Sequence, residues 1–147
     1  MKKLFVIVLV MFVVWMSGCS VPTDEVLQSL GEYKSEQYFT SGGFQDYTNY
    51  AKYTYEDVDF SNNIYFSEIS TGSSENLITH IKDFEKWVEL LEEDNEVALA
   101  YDFDSSVISK EDYLYIYDDP NYSKLGCYDV YFFDVETMTL YYFHNNI

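Results

Sequence analysis

Few side chains in this sequence are suited to covalent or metal chemistry, so their spacing decides what they can do. The 147 residues include two histidines, His80 and His144, and two cysteines, Cys19 and Cys127. Neither histidine belongs to an HExxH or CxxC-type arrangement that would bring several ligands to one point, so zinc chemistry has no support. Asp102-Phe103-Asp104-Ser105-Ser106 begins like a calcium loop. Its sixth position is Val107, where Gly makes the sharp turn, and its twelfth is Tyr113, where a bidentate Glu belongs. An irregular calcium site from Asp102, Asp104, Glu111 and Asp112, or from Asp118 and Asp119, is the metal reading that remains. No nucleophile elbow and no glycine-rich phosphate loop is present, and carboxylates are too plentiful for any pair to stand out as a glycosidase pair. His80 lies between Leu77 and Phe84 at helical spacing and reads as a satisfied boundary residue. His144 follows Phe143 at the end of a strand pattern, where it can bond the terminus or a neighbouring turn. Cys127, at the start of an apolar run, reads as a small buried hydrophobe. This inventory favours a non-catalytic protein without metal or cofactor.

Binding chemistry is better supplied. The chain has 16 Tyr and 11 Phe, no Arg, and eight Lys against 26 Asp and Glu, for a formal charge of −18. Such a field repels nucleic acid. It suits a basic peptide or protein, a neutral glycan or a divalent cation, although acidity is also a simple route to solubility. Exposed tyrosines beside carboxylates can receive Lys and Arg side chains or stack on sugars. Tyr113, Tyr115, Tyr117, Tyr131 and Tyr141 are the candidate binding residues, the alternative being that the same rings pack beneath helices.

The elements that must position these residues follow from periodicity. Val26, Leu27, Leu30 and Tyr33 suggest a short helix interrupted by Gly31 within 26–39, and 40–43 is a clear break. Phe44, Tyr47, Ala51 and Tyr55 make one helical face, so 44–55 is predicted to be helical despite its Tyr and Thr content. The strongest pattern is Leu77, Ile81, Phe84, Val88 and Leu91, which predicts an amphipathic helix over 75–93 with Ser73 or Ser74 as cap and Trp87 as a core anchor. Strand patterns follow at 113–117, 128–133 and 138–143, the last two joined by Asp134-Val135-Glu136-Thr137 as a hairpin. The expected fold is therefore α+β: N-terminal helices, one of them long and amphipathic, packed on a C-terminal antiparallel three-stranded meander. One domain over 26–147 is the expected organisation.

The N-terminus has its own logic. Lys2 and Lys3 precede thirteen apolar residues, Leu4 to Met16, and then Ser17-Gly18-Cys19. At about 1.5 Å per residue that run reaches roughly 20 Å as a helix, short of a hydrocarbon core of about 30 Å, and so reads as an export signal rather than a span. Met16-Ser17-Gly18-Cys19 resembles the lipobox of bacterial lipoprotein precursors. The resemblance implies cleavage after Gly18, a thioether-linked diacylglyceryl group on Cys19, acylation of the new amine as an optional further step, and a tether over 19–25. Two or three fatty chains hold a protein stably at a membrane. An ordinary secretory signal and an uncleaved anchor are the alternatives, and both also place the domain outside the cytoplasmic membrane. Removal of the leader takes Lys2 and Lys3 with it, leaving six Lys against 26 acidic residues, a formal charge of −20. Cys127 then has no intramolecular partner.

Over 43–147 the chain is similar to small uncharacterised lipoproteins of clostridia and related Gram-positive bacteria, in the segments GFQDYTNYAKY, DFEKWV and YDVYFFDVETMTLYYFHNN. The absence of Arg and the abundance of Asn, Tyr and Lys fit a host of that kind. Three roles are compatible: a membrane-tethered binding or accessory module, an immunity or inhibitor protein that captures a basic partner, and a lipoprotein that acts only by occupying an envelope assembly.

Overall fold

The computed structural model describes residues 24–42, 46–122 and 125–146. The leader, Cys19 and most of the tether lie outside the described residues. Among the described residues, no helix is long and apolar enough to cross a membrane. The fold is mixed α+β, with six antiparallel strands in one sheet rather than three. These are β1 (Ser35–Thr40), β2 (Tyr47–Thr54), β3 (Ser67–Glu68), β4 (Tyr113–Asp118), β5 (Cys127–Asp134) and β6 (Thr139–Asn146), in the order β1-β2-β6-β5-β4-β3. The expected C-terminal meander is its β4-β5-β6 portion. The first three strands precede the long helix in sequence, so the expectation of helices first and strands last is corrected.

Residues 47–54 form a central strand, not the helix expected over 44–55, and Phe44 lies outside the described residues. β2 is covered on both faces: Tyr50 enters one core cluster, and Ala51 and Tyr53 the other. A strand buried on both sides loses its two-residue alternation, and the 3-4-4 spacing of its apolar residues then imitates a helix. The Tyr and Thr content was the better guide, since aromatic and β-branched side chains fit a pleated surface. The helix expected within 26–39 shrinks to α1 (Glu25–Gln28), capped by the Asp24 side chain and followed by Gly31 at φ 85°. Only glycine takes that left-handed turn without strain, and the chain leaves it for the edge strand β1.

The long helix, α2 (Thr71–Glu89), begins and ends four residues earlier than 75–93. Its cap is Ser70, whose Oγ accepts from the Ser73 N–H while Ser73 Oγ accepts from the Ser70 N–H. This reciprocal bonding satisfies two helix-end donors and fixes the start. Glu92, Glu93 and Asp94 remain outside the helix, where they avoid the negative end of its dipole. The short α3 (Glu96–Ala100) is capped by Asn95, which also donates to the Ser41 carbonyl at 3.1 Å and so ties α3 to the end of β1.

The sheet has one core on each face. On one, Tyr50, Tyr128, Val130, Phe132 and Phe143 pack against Leu77, Ile81 and Phe84 of α2 and Val97 of α3. On the other, Ala51, Tyr53, Tyr131, Phe133 and Leu140 lie with Leu30, and with Phe66 and Phe60 of the β2–β3 connection. The β5–β6 turn is held by Asp134, whose carboxylate accepts from the Glu136 and Thr137 N–H groups and the Thr137 hydroxyl. That bonding is what Asp and Thr are placed to do in a hairpin.

Candidate functional site

Seven of the tyrosines among the described residues donate to carboxylates. Tyr50 donates to Asp102 at 2.8 Å, Tyr101 to Glu85 at 3.0 Å, Tyr128 to Asp83 at 3.1 Å, Tyr131 to Asp24 at 2.5 Å and Tyr142 to Asp129 at 2.7 Å. Tyr65 and Tyr33 do the same with Glu25 and Glu36. A buried phenol needs an acceptor, and a carboxylate at the boundary supplies one while keeping its charge near water. Burial first, and the neighbouring carboxylates second, push the Tyr50, Tyr128, Tyr131 and Tyr142 hydroxyls far above the ordinary phenol range. These carboxylates serve the fold, so acidity by itself is no argument for a basic partner.

The five candidate tyrosines do not form one surface. Tyr141 packs on Phe103 at 5.0 Å within the core beneath α2 and α3, while the other four lie on the opposite face. Tyr131 is only 6% exposed. Tyr113 stacks flat on Phe60 with centroids 3.8 Å apart, and Tyr115 meets Tyr65 edge-on at 5.4 Å. Tyr117 alone is exposed. Tyr113 also lines a cleft of about 560 Å³ with Phe60, Phe66, Phe133 and Met138. None of the buried, unpartnered polar side-chain atoms belongs to a residue lining that cleft.

The residues with chemical potential are likewise occupied. His80 is fully buried, its Nδ1 facing the Asn76 carbonyl at 2.9 Å and its Nε2 facing Asp118 at 2.8 Å. The Asp118 contact ties α2 to β4. Asp102 bonds Tyr50 and Lys52, Asp104 caps Ser106, and Asp112 accepts from the Ser109 and Val135 N–H groups. Asp119 bonds Asn121. Apart from Glu111, the carboxylates nominated for calcium thus serve backbone and side-chain donors, and no group of three or more His, Cys, Asp or Glu among the described residues is arranged to hold a metal. Burial, then Asp129 and Asp119, pushes the Cys127 thiol up, which opposes the thiolate a nucleophile needs.

A different place stands out. Among the described residues, four buried side-chain polar atoms have no hydrogen-bond partner: Asn49 Oδ1, Tyr55 OH, His144 Nε2 and Asn145 Nδ2. Three of the four sit at one end of the β2–β6 pair, where Thr48 faces Asn145 and Asn49 faces His144 in register. Native proteins pair nearly all such groups, and each unpaired one costs about 1–3 kcal/mol. On one face, His144 Nδ1 meets Asp129 at 2.8 Å, the same carboxylate oxygen accepts from Tyr142, and the Tyr47 ring stacks on the imidazole at 5.0 Å and 30°. Among the described residues no hydroxyl or thiol is bonded to Nε2, so no nucleophile of a hydrolytic triad accompanies this Asp–His pair there.

On the other face, the Asn145 amide meets the Thr48 hydroxyl at 3.0 Å through one end only. Beside it, where α2 ends, is a cleft of about 210 Å³ lined by Tyr47, Thr48, Trp87, Leu90, Leu91 and Asn145. Trp87 is only half-buried and lies outside both core clusters, which corrects its reading as a core anchor. Leu90 is 74% exposed. The legible signal for this end was the run of asparagines in strand positions, Asn49, Asn145 and Asn146, a residue type that pleated surfaces disfavour. No protein-family model, no curated protein and no solved structure matches this chain. The functional reading therefore rests on the geometry of this end and on the N-terminal sequence.

Proposed function

We propose that the chain is a lipid-anchored, extracytoplasmic lipoprotein whose folded part is a non-catalytic binding module, with the β2–β6 end and the adjoining cleft as its binding region. The observation that carries the binding reading is the buried, unpartnered Asn145 amide in the lining of that cleft; the other two unpartnered atoms at this end, Asn49 Oδ1 and His144 Nε2, lie on the opposite face of the sheet. The anchor reading is supported by Lys2-Lys3, the apolar run and Ser17-Gly18-Cys19. It is also compatible with the position of Asp24, which bonds Tyr131 in the sheet and caps α1. Cys19 is five residues from Asp24, a path of at most about 17 Å, so a lipid there holds the domain close against the outer surface of the cell membrane. The dry core beneath α2 and the internal pairing of tyrosines with carboxylates then serve as a rigid support for the site.

One experiment in the native host addresses both halves. Cys19→Ala is expected to release the protein from the membrane fraction, and loss of retention should accompany loss of the diacylglyceryl mass from the N-terminus. In the anchored protein, a photoreactive side chain at Leu90 beside the cleft should crosslink to envelope material, and the same group at Ile64, 86% exposed on the β2–β3 connection, should not. Unchanged retention of Cys19→Ala contradicts the anchor. Equal yields from the two probes, or none from either, contradict the binding region.

A further inference from the structure

We infer that the cleft between the end of α2 and the β2–β6 end is a subsite for one ring of a neutral glycan. The inference rests on the binding-module reading and names its ligand class. Size is the first argument: at about 210 Å³ the cleft is smaller than the roughly 300–1,000 Å³ of sites for drug-sized molecules, and suits a single ring of a longer chain entering from solvent.

The walls supply the second argument. Trp87, Leu90 and Leu91 give an apolar side at the end of α2. A pyranose ring has one face of C–H groups that packs on such surfaces, and hydroxyls around its rim that require polar partners. The Asn145 amide is such a partner: it is 1% exposed, pinned at one end by Thr48 and unpartnered at the other. A hydroxyl both donates and accepts, so it satisfies the free end of that amide whichever way its oxygen and nitrogen point. Ser41 and Thr48 add further hydroxyls at the cleft.

Charge is the third. The cleft includes Asp46 and no lysine, and the whole chain is strongly negative, so an anionic ligand is repelled. A cationic side chain would meet only that one exposed carboxylate, whereas amides and hydroxyls supply most of the polar lining. A neutral, hydroxyl-rich ligand uses all of these groups. A site built around a buried hydrogen-bonding group should also reject an analogue that lacks the matching hydroxyl.

Trp15 and Trp87 are the two tryptophans, so Trp15→Phe leaves Trp87 as the sole indole and turns its fluorescence into a report on the cleft. The full chain with that change, in phosphatidylcholine vesicles, is titrated with neutral gluco-oligosaccharides and neutral N-acetylated amino-sugar oligomers, and separately with a lysine-rich peptide. At least one neutral oligosaccharide is expected to give a saturable spectral change with a millimolar dissociation constant. Asn145→Ala should weaken it at least tenfold. Leu90→Ala, at a site too exposed to disturb folding, should weaken it severalfold, while Leu99→Ala, equally exposed on α3, leaves it unchanged. A flat response to every neutral sugar, saturation by the peptide alone, or sugar binding indifferent to both Asn145 and Leu90 overturns the inference. Crosslinking from Leu90 in the native envelope together with a flat sugar response would defeat the glycan assignment and leave the binding-module reading standing.

Discussion

Raising the pH above 10 is expected to unfold this protein in one cooperative step, with the phenolate absorbance of its buried tyrosines arriving together. Tyr50, Tyr53, Tyr55, Tyr128 and Tyr131 are each no more than 6% exposed, and burial is the first cause holding all five hydroxyls above their ordinary value of 10.0. A raised folded-state value means that, above pH 10, the unfolded chain releases protons the folded chain keeps. The stabilisation is complete below pH 10 and is lost as the pH rises toward the folded-state values. Each group removes about 1.4 kcal/mol per pH unit in that window, and five together roughly 7 kcal/mol, against a total stability of about 5–15 kcal/mol for a domain of this kind. The midpoint should therefore fall within about two pH units above 10. Circular dichroism and phenolate absorbance recorded in the same titration check this: coincident transitions are expected. Gradual ionisation of these tyrosines with the fold intact would show that their burial is much less complete.

The second large effect is at Asp24. Its Oδ1 accepts from the Val26 and Leu27 N–H groups, and its Oδ2 accepts the Tyr131 hydroxyl. Asp24→Ala removes a helix cap worth about 1 kcal/mol and leaves a buried hydroxyl without its acceptor for roughly 1–3 kcal/mol more, so a loss of about 2–4 kcal/mol in urea unfolding is expected. The cap and the phenol bond separate in a double-mutant cycle. Tyr131→Phe should cost little further in the Asp24→Ala background, because both partners of the bond are then gone. Strict additivity of the two changes would mean that the pair contributes nothing and that the segment beside the tether is not fastened to the sheet.

How much of this was legible in the sequence varied with how one-sided each element is. The β5–β6 hairpin could be read because Asp134 to Thr137 announces its turn and the flanking runs are rich in aromatic residues. The position of α2 was offset by four residues, since Ser70-Thr71-Gly72 has the composition of a turn and only the Ser70–Ser73 bonding reveals a cap. β2 was misread because burial on both faces erases the period that distinguishes a strand. Alternation correctly placed Tyr113, Tyr115 and Tyr117 on one face of β4, yet it carries no information about what covers that face. Phe60 and Tyr65 do so from a connection with no strong pattern of its own. Trp87 satisfied the helical period and so looked like core, although it is only half-buried and outside both clusters while Val88 and Leu91 beside it pack against one of them. The pairing of phenols with carboxylates was visible only as two unusual compositions, because the partners are up to 107 residues apart.

Binding at the β2–β6 end, and not on the β4 tyrosines, is what the site geometry requires. A nitrogen–proton correlation spectrum of the intact chain in phosphatidylcholine vesicles, following the Asn145 side-chain amide and the Trp87 indole as native envelope extract is added, separates the two surfaces. Shifts concentrated on those two groups are expected, with the backbone of Tyr113 to Tyr117 unmoved. Shifts centred on Tyr113 to Tyr117, or no shift anywhere at saturating extract, would contradict binding at that end.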